Sequence, residues 1–120
     1  MALSEDIRDL SLKWILETAS YQYVYNFRWL GLPVIQFPQD LIALQEIIWE
    51  TKPDLIVETG VARGGSVIFY ASMLQLLGGN GTVLGIDIDI RSQNREAVEG
   101  HQLSSRVNLI EGSSTDRETI

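Results

Sequence analysis

Apolar residues recur at helical spacing in the first half of the chain, and one aromatic stretch lies between two such segments. Residues 3–19 and 39–50 carry apolar side chains three or four positions apart, which predicts two amphipathic helices. Aromatic residues between them alternate with other residues at positions 21, 23, 25, 27 and 29. This period of two predicts an extended segment with one aromatic face.

From residue 55 onward, short apolar runs alternate with longer helical segments. Strands are predicted at 55–57, 82–86 and 106–110, and helices at 66–77 and 92–100. This alternation implies parallel βαβ units with right-handed crossovers. We therefore predict an α/β, Rossmann-like fold with three parallel strands and helices on both faces. The second strand should lie beside a central first strand, and the third beyond the second.

The last residues of the 120-residue chain predict the start of a further helix. Thr115 and Glu118 fit a capping box at the start of a helix, yet the chain ends at Ile120. We expect a truncated N-terminal half of such a domain. Residues 1–38 are predicted to form a helix and an aromatic, lid-like segment, and residues 39–120 an incomplete nucleotide-binding domain.

Charge and composition exclude several classes of partner and chemistry. The net charge is −7 and no cluster of Lys or Arg exists, which argues against nucleic acid as a partner. The absence of cysteine excludes disulfides and thiolate chemistry. Charged residues stand where a signal peptide needs an apolar run, and no apolar stretch approaches membrane-spanning length. We therefore expect a cytoplasmic protein that binds no membrane.

A glycine-rich loop joins the first strand of the predicted sheet to its helix. Its small residues, which let a ligand approach the backbone, are Gly60, Ala62, Gly64 and Gly65. Glu58 at the strand end would repel a dinucleotide pyrophosphate, but it suits a ligand with an ammonium group, such as S-adenosylmethionine (SAM). A loose dinucleotide fingerprint and a tight turn without a ligand are the alternatives, whereas a P-loop is excluded because no Gly-Lys-Ser/Thr follows.

Acidic and hydroxyl residues follow the next two predicted strands. Asp87 can accept hydrogen bonds from both ribose hydroxyls, and it lies 27 residues after Gly60, where a dinucleotide fold expects about 20. Asp89 is its rival, although a solvated turn residue is the favoured interpretation. Ser113 and Ser114 follow the third strand and can read an adenine edge.

Two further side chains could carry chemistry but have simpler explanations. His101, the single histidine, follows Gly100 at a predicted helix end, where a capping side chain is ordinary. Arg63 in the loop could meet a substrate or be solvated. The catalytic residues therefore remain unassigned.

The stretch Tyr25–Gln36, together with the glycine loop and the three strand ends, resembles the cephalosporin hydroxylase family over roughly residues 21–116. That family has the SAM-dependent methyltransferase fold and includes sugar O-methyltransferases. The resemblance implies that Glu58 binds the SAM ammonium. The other cofactor-binding residues that it implies are Gly60, Ala62 and Gly64 in the loop, Ser66 at the SAM carboxylate, Asp87 at the ribose, and Ser113 and Ser114 at the adenine.

The expected function is thus O-methylation of a sugar or small natural product. The alternative is a non-catalytic SAM- or nucleotide-binding fragment, or a subunit completed by a partner chain. Family members often carry a divalent metal such as Mg²⁺, whose carboxylate ligands lie beyond the third strand, so we expect no metal site in this chain. The expected partner is a small-molecule methyl acceptor, and homo-oligomerisation is left open.

Overall fold

The computed structural model describes residues 5–20 and 27–113. The elements follow one another in this order: α1 (Glu5–Ser20), β1 (Phe27–Trp29), β2 (Leu32–Val34), α2 (Pro38–Thr51), β3 (Leu55–Thr59), α3 (Gly65–Leu77), β4 (Thr82–Asp87), α4 (Ser92–Glu99), a 3-10 turn (Ser104–Arg106) and β5 (Val107–Glu111). Each predicted helix and strand within the described residues is present, with boundaries shifted by a few positions.

The three later strands form one parallel sheet in the order β3–β4–β5. Leu55 of β3 pairs with Thr82 of β4, and Val83 of β4 pairs with Val107 of β5. The predicted parallel sheet, flanked by helices, and the adjacency of its strands are confirmed. Among the described strands, however, β4 is the middle one, whereas we expected the first strand to be central. The strand β3 also continues to Thr59, two residues further than predicted, because its pairing with β4 continues.

Helix α3 is the centre of the core because apolar side chains surround it on several sides. One buried cluster joins α3 to the sheet and consists of Val61, Val67, Ala71, Leu74 and Val83. The other joins α3 to β2 and α2 and consists of Val34, Leu41, Ile48 and Phe69. The all-round apolar sequence of this helix thus reflects packing on both sides.

The strands β1 and β2 pair antiparallel as a small hairpin that packs on α3. Its two turn residues, Leu30 and Gly31, both have positive φ, as a tight two-residue hairpin turn requires. The Trp29 indole N–H donates to Ser72 Oγ at 2.9 Å, and its ring packs edge-on against Phe69. The end of the predicted aromatic segment is therefore a strand, while residues 21–26 lie outside the described residues.

Helix α1 confirms the first predicted helix but does not bury its apolar face. Leu10 is 65% exposed and Leu16 is 64% exposed. A ring contact joins Trp14 to Phe37, with centroids 5.4 Å apart. No helix in the described part of the chain is both long and apolar enough to cross a bilayer. The predicted capping box at residues 115–118 lies outside the described residues.

Candidate functional site

The carboxyl ends of β3, β4 and β5 meet at one edge of the sheet and hold the loops that follow them. Gly60 N donates to Ile86 O at 2.8 Å, and Gly112 N donates to Asp87 O at 2.7 Å. The loops after β3 and β5 therefore begin on either side of the end of β4. Between them lies an open cleft, lined by Thr59, Gly60, Ile86, Asp87, Ile88, Gly112 and Ser113.

Asp87 lies at the middle of this edge and is fixed by backbone groups. Its Oδ2 accepts from Val61 N at 2.8 Å, and its Oδ1 accepts from Asp89 N at 3.2 Å. Burial raises the pKa of Asp87, but hydrogen bonds from backbone N–H groups, including these two, outweigh burial and lower it overall. The side chain is therefore an ionised acceptor that several backbone donors hold in one orientation.

The glycine loop combines an open floor with a tightly packed end. Gly60 has φ +85°, and nothing lies within 4 Å of where its side chain would be, so a ligand can reach the backbone there. Ala62 also has positive φ, 49°. Gly64 has φ +90° and is buried, and a side chain there would overlap with Val98 of α4. Close packing against α4 therefore favours glycine at position 64, independently of the predicted cofactor contact.

Glu58 points to the α3 side of the sheet with one oxygen satisfied and one not. Ser66 Oγ donates to Glu58 Oε1 at 2.6 Å. Glu58 Oε2 is buried and has no hydrogen-bond partner among the described residues. Burial raises the pKa of Glu58 from 4.5 to about 7, although the bond from Ser66 opposes the rise. A buried carboxylate with a free oxygen is costly unless a donor completes it.

An ammonium group is the ligand that such a carboxylate fits best. It supplies several donors and a positive charge, so it would satisfy Glu58 Oε2 and favour the ionised form. The hydroxyl of Ser66 is already committed to Glu58, but Ser66 lies in the first turn of α3, where helix N–H groups have no partner within the helix. A carboxylate could be bound by those N–H groups.

The remaining predicted residues are placed as follows. Ser113 lines the cleft, whereas Ser114 lies outside the described residues. Asp89 and Arg63 are exposed beside Asp87, in a neighbouring groove between the glycine loop and the start of α4. His101 is away from the cleft residues: its Nε2 donates to Leu30 O at 2.9 Å, while its Nδ1 accepts from Leu103 N at 3.1 Å. The histidine connects the hairpin to the β4–β5 connection, which agrees with a structural role.

Two supporting residues were missed from the sequence. Asn94 Nδ2 of α4 donates to Ala62 O at 3.1 Å, which ties the glycine loop to that helix. Glu111 Oε1 accepts from Ile90 N at 2.8 Å, which fixes the turn after β4. The acidic end of β5 was a visible signal for Glu111, but nothing local marks Asn94. Within the described residues, no group of three or more acidic, histidine or cysteine side chains could hold a metal.

Comparison with known proteins identifies relatives of this arrangement. The family model described as Rhamnosyl O-methyltransferase/CmcI matches residues 21–120. The rhamnosyl O-methyltransferase of Mycobacterium leprae is 35% identical over 67 residues, which cover 55% of this chain and 29% of that protein.

Two solved CmcI structures are similar in fold. An apo structure of CmcI matches with a TM-score of 0.62 and 27% identity, covering 79% of this chain and 39% of that one. A CmcI structure described as Mg-SAM matches with a TM-score of 0.61, 27% identity and the same coverage. The chain thus spans about two fifths or less of the length of these proteins.

Proposed function

Because this chain belongs to the rhamnosyl O-methyltransferase/CmcI family, we propose that it forms the cofactor-binding part of a SAM-dependent O-methyltransferase. The observation that carries the proposal is the unpartnered Oε2 of Glu58 at the end of the first sheet strand. A dinucleotide pyrophosphate would meet a negative charge there, whereas the ammonium of SAM would complete the carboxylate. The similarity to a CmcI structure described as Mg-SAM supports the same ligand.

The proposed roles follow the order of the strand ends. Glu58 accepts hydrogen bonds from the ammonium, and Asp87, which backbone donors hold in place, accepts hydrogen bonds from the two ribose hydroxyls. The open backbone at Gly60 lies beneath the cofactor. The other proposed contacts are Ala62 and Gly64 in the loop, Ser66 and the first turn of α3 at the SAM carboxylate, and Ser113 and Ser114 at the adenine.

The chemistry divides between the cofactor and the protein. SAM when bound supplies an electrophilic methyl group. The residues of this chain bind and orient: rigid strand ends, a carboxylate fixed by two N–H groups and a buried acceptor limit the positions that a ligand can take. The described residues contain no group of three or more acidic, histidine or cysteine side chains that could hold Mg²⁺. We assign no catalytic base, because His101 is held in structural hydrogen bonds.

The proposed methyl acceptor is a hydroxyl of a sugar or small natural product. Its support is the name of the Mycobacterium leprae relative, a rhamnosyl O-methyltransferase.

We further propose a cytoplasmic protein in which residues 1–38 cover the site and residues 39–120 bind the cofactor. The net charge of −7 disfavours nucleic acid. Exposed apolar residues on α1 and α2, among them Leu16 and Trp49, support association between copies.

Calorimetry with S-adenosylhomocysteine (SAH) and with NAD tests the cofactor. SAH should bind, and NAD should bind far more weakly or not at all, because only SAH brings an ammonium to Glu58. Tighter binding of NAD would overturn the proposal. A methylation assay with labelled SAM and rhamnose-containing acceptors, run on the full reading frame that contains these residues, then separates the enzyme from the alternative of a non-catalytic module. SAH binding without any transfer by that protein favours the module.

A further inference from the structure

A second polar side chain, next to helix α3, has a role that the sites above do not account for. Gln36 follows β2, and its Oε1 is buried with no hydrogen-bond partner among the described residues. We propose that Gln36 is a second acceptor for the amino group of the cofactor and that it makes the site selective for ligands that carry one. This inference rests on the proposed function.

Close packing brings the segment of Gln36 to the start of α3. A side chain at Gly65, the first residue of α3, would overlap with the carbonyl group of Pro33 and the backbone of Val34. The end of β2 therefore lies directly against the first turn of the helix. Gln36 comes two residues after Val34, so it enters the region next to the turn that carries Ser66.

The side chain of Tyr70 connects Gln36 with Glu58. Ser66 and Tyr70 are four residues apart on α3 and so share one face of the helix. Burial raises the pKa of the Tyr70 phenol, the negative charge of Glu58 raises it further, and a hydrogen bond from Gln36 opposes the rise. The Gln36 amide N–H thus donates to the phenol oxygen, which leaves the amide oxygen as the free group. Tyr70 is therefore hydrogen-bonded to Gln36 and is close enough to Glu58 to be affected by its charge.

A hydrogen-bond donor is missing at each of the two buried acceptors. A buried acceptor that has lost its water is destabilising unless it gains a hydrogen bond. An ammonium group has three N–H donors, so it can serve a carboxylate and an amide oxygen together. A carboxylate or phosphate ligand could serve neither of them. The pair Glu58 Oε2 and Gln36 Oε1 therefore matches the amino end of SAM rather than its carboxylate or its adenine.

The test compares two ligands that differ only in the amino group. SAH and 5′-S-(3-carboxypropyl)-5′-thioadenosine, which is SAH without its amino group, are titrated by calorimetry into the 120-residue chain, Gln36→Met and Gln39→Leu. Methionine keeps the length of the side chain without its polar atoms. Gln39 is exposed on α2 and serves as the matched control. Thermal denaturation of each variant reports folding, and Gln36→Asn replaces Gln36→Met if the latter is unfolded.

Gln36→Met should weaken SAH binding about tenfold or more, the range for a lost hydrogen bond to a charged group, and leave binding of the ligand without the amino group unchanged. Gln39→Leu should change neither. An equal loss for both ligands, or no loss for SAH, would show that Gln36 is only structural and would overturn the inference while leaving the proposed function intact. Failure of the unmodified chain to bind SAH would instead contradict the proposed function, and this inference with it.

Discussion

Replacing Glu58 with glutamine should stabilise the ligand-free chain at neutral pH while it damages cofactor binding. Glutamine keeps the shape of the side chain and an acceptor oxygen for Ser66, whose Oγ now donates to Glu58 Oε1 at 2.6 Å. It removes the charge that burial disfavours. The free-energy cost of burying the ionised carboxylate should therefore be absent in the variant.

The magnitude follows from the pKa values of the folded and unfolded states. Burial raises the pKa of Glu58 from 4.5 to about 7 in the folded chain, and the unfolded chain keeps the lower value. The folded state therefore retains a proton that the unfolded state releases, so the free energy of unfolding falls as the pH rises. At about 1.4 kcal/mol for each pH unit, the loss is on the order of 3 kcal/mol once the pH has passed 7. At pH values below 4.5, Glu58 is protonated in both the folded and the unfolded chain, so this loss of stability is absent.

Urea denaturation of the ligand-free chain at pH 5 and pH 8 measures this effect. The free energy of unfolding of Glu58→Gln should exceed that of the unmodified chain by less than about 1 kcal/mol at pH 5 and by on the order of 3 kcal/mol at pH 8. Glu50→Gln, which removes an exposed carboxylate on α2, is the matched control and should give no comparable gain at pH 8. Other groups titrate in both proteins, so the difference between variant and parent isolates Glu58.

Binding of SAH by the same proteins completes the test. Glu58→Gln should weaken SAH binding at pH 8 by roughly 10- to 100-fold, because a hydrogen bond to a charged group is lost. For the unmodified chain, affinity should fall as the pH drops below about 7, since protonated Glu58 cannot attract an ammonium. An equal stability difference at both pH values, or undiminished SAH binding by the variant, would refute the reasoning.

Three further outcomes are expected. Asp87→Ala should weaken SAH binding by roughly 1.5–3 kcal/mol in calorimetry, and Asp89→Ala by much less; equal effects would mean that the wrong carboxylate was chosen. Gly64→Ala should lower the free energy of unfolding by about 1–3 kcal/mol more than Gly79→Ala, because both have positive φ but only Gly64 is packed against α4; equal losses would contradict the packing role. His101→Ala should cost about 1–2 kcal/mol of stability for two hydrogen bonds and leave SAH affinity unchanged, and a loss of affinity would point to the site instead.

The elements that the sequence predicted well are those set by local pattern. The runs at β3 and β4 are short and β-branched, and the glycine loop between β3 and α3 interrupts them clearly, so their order and parallel pairing could be predicted. Glu58 and Asp87 could be named because a strand end is a position that the pattern itself identifies. Helix α1 shows the limit of the same method. Its apolar spacing predicts a helix, but spacing does not say what the apolar face packs against, and Leu10 remains exposed.

The parts of the site that could not be predicted depend on contacts between residues far apart in the chain. Asn94 supports the glycine loop by bonding to Ala62 O, 32 positions earlier, and no local pattern distinguishes it from any polar residue near a helix start. Gln36 is similar: in the sequence it is one polar residue after an apolar run, and only the packing of β2 against α3 brings it beside Tyr70. The local sequence pattern thus identifies candidate ligand-binding residues at the ends of strands. The residues that orient or complete them come from neighbouring elements, and the structure reveals them through a long-range hydrogen bond, as at Asn94, or through an unsatisfied buried oxygen, as at Gln36.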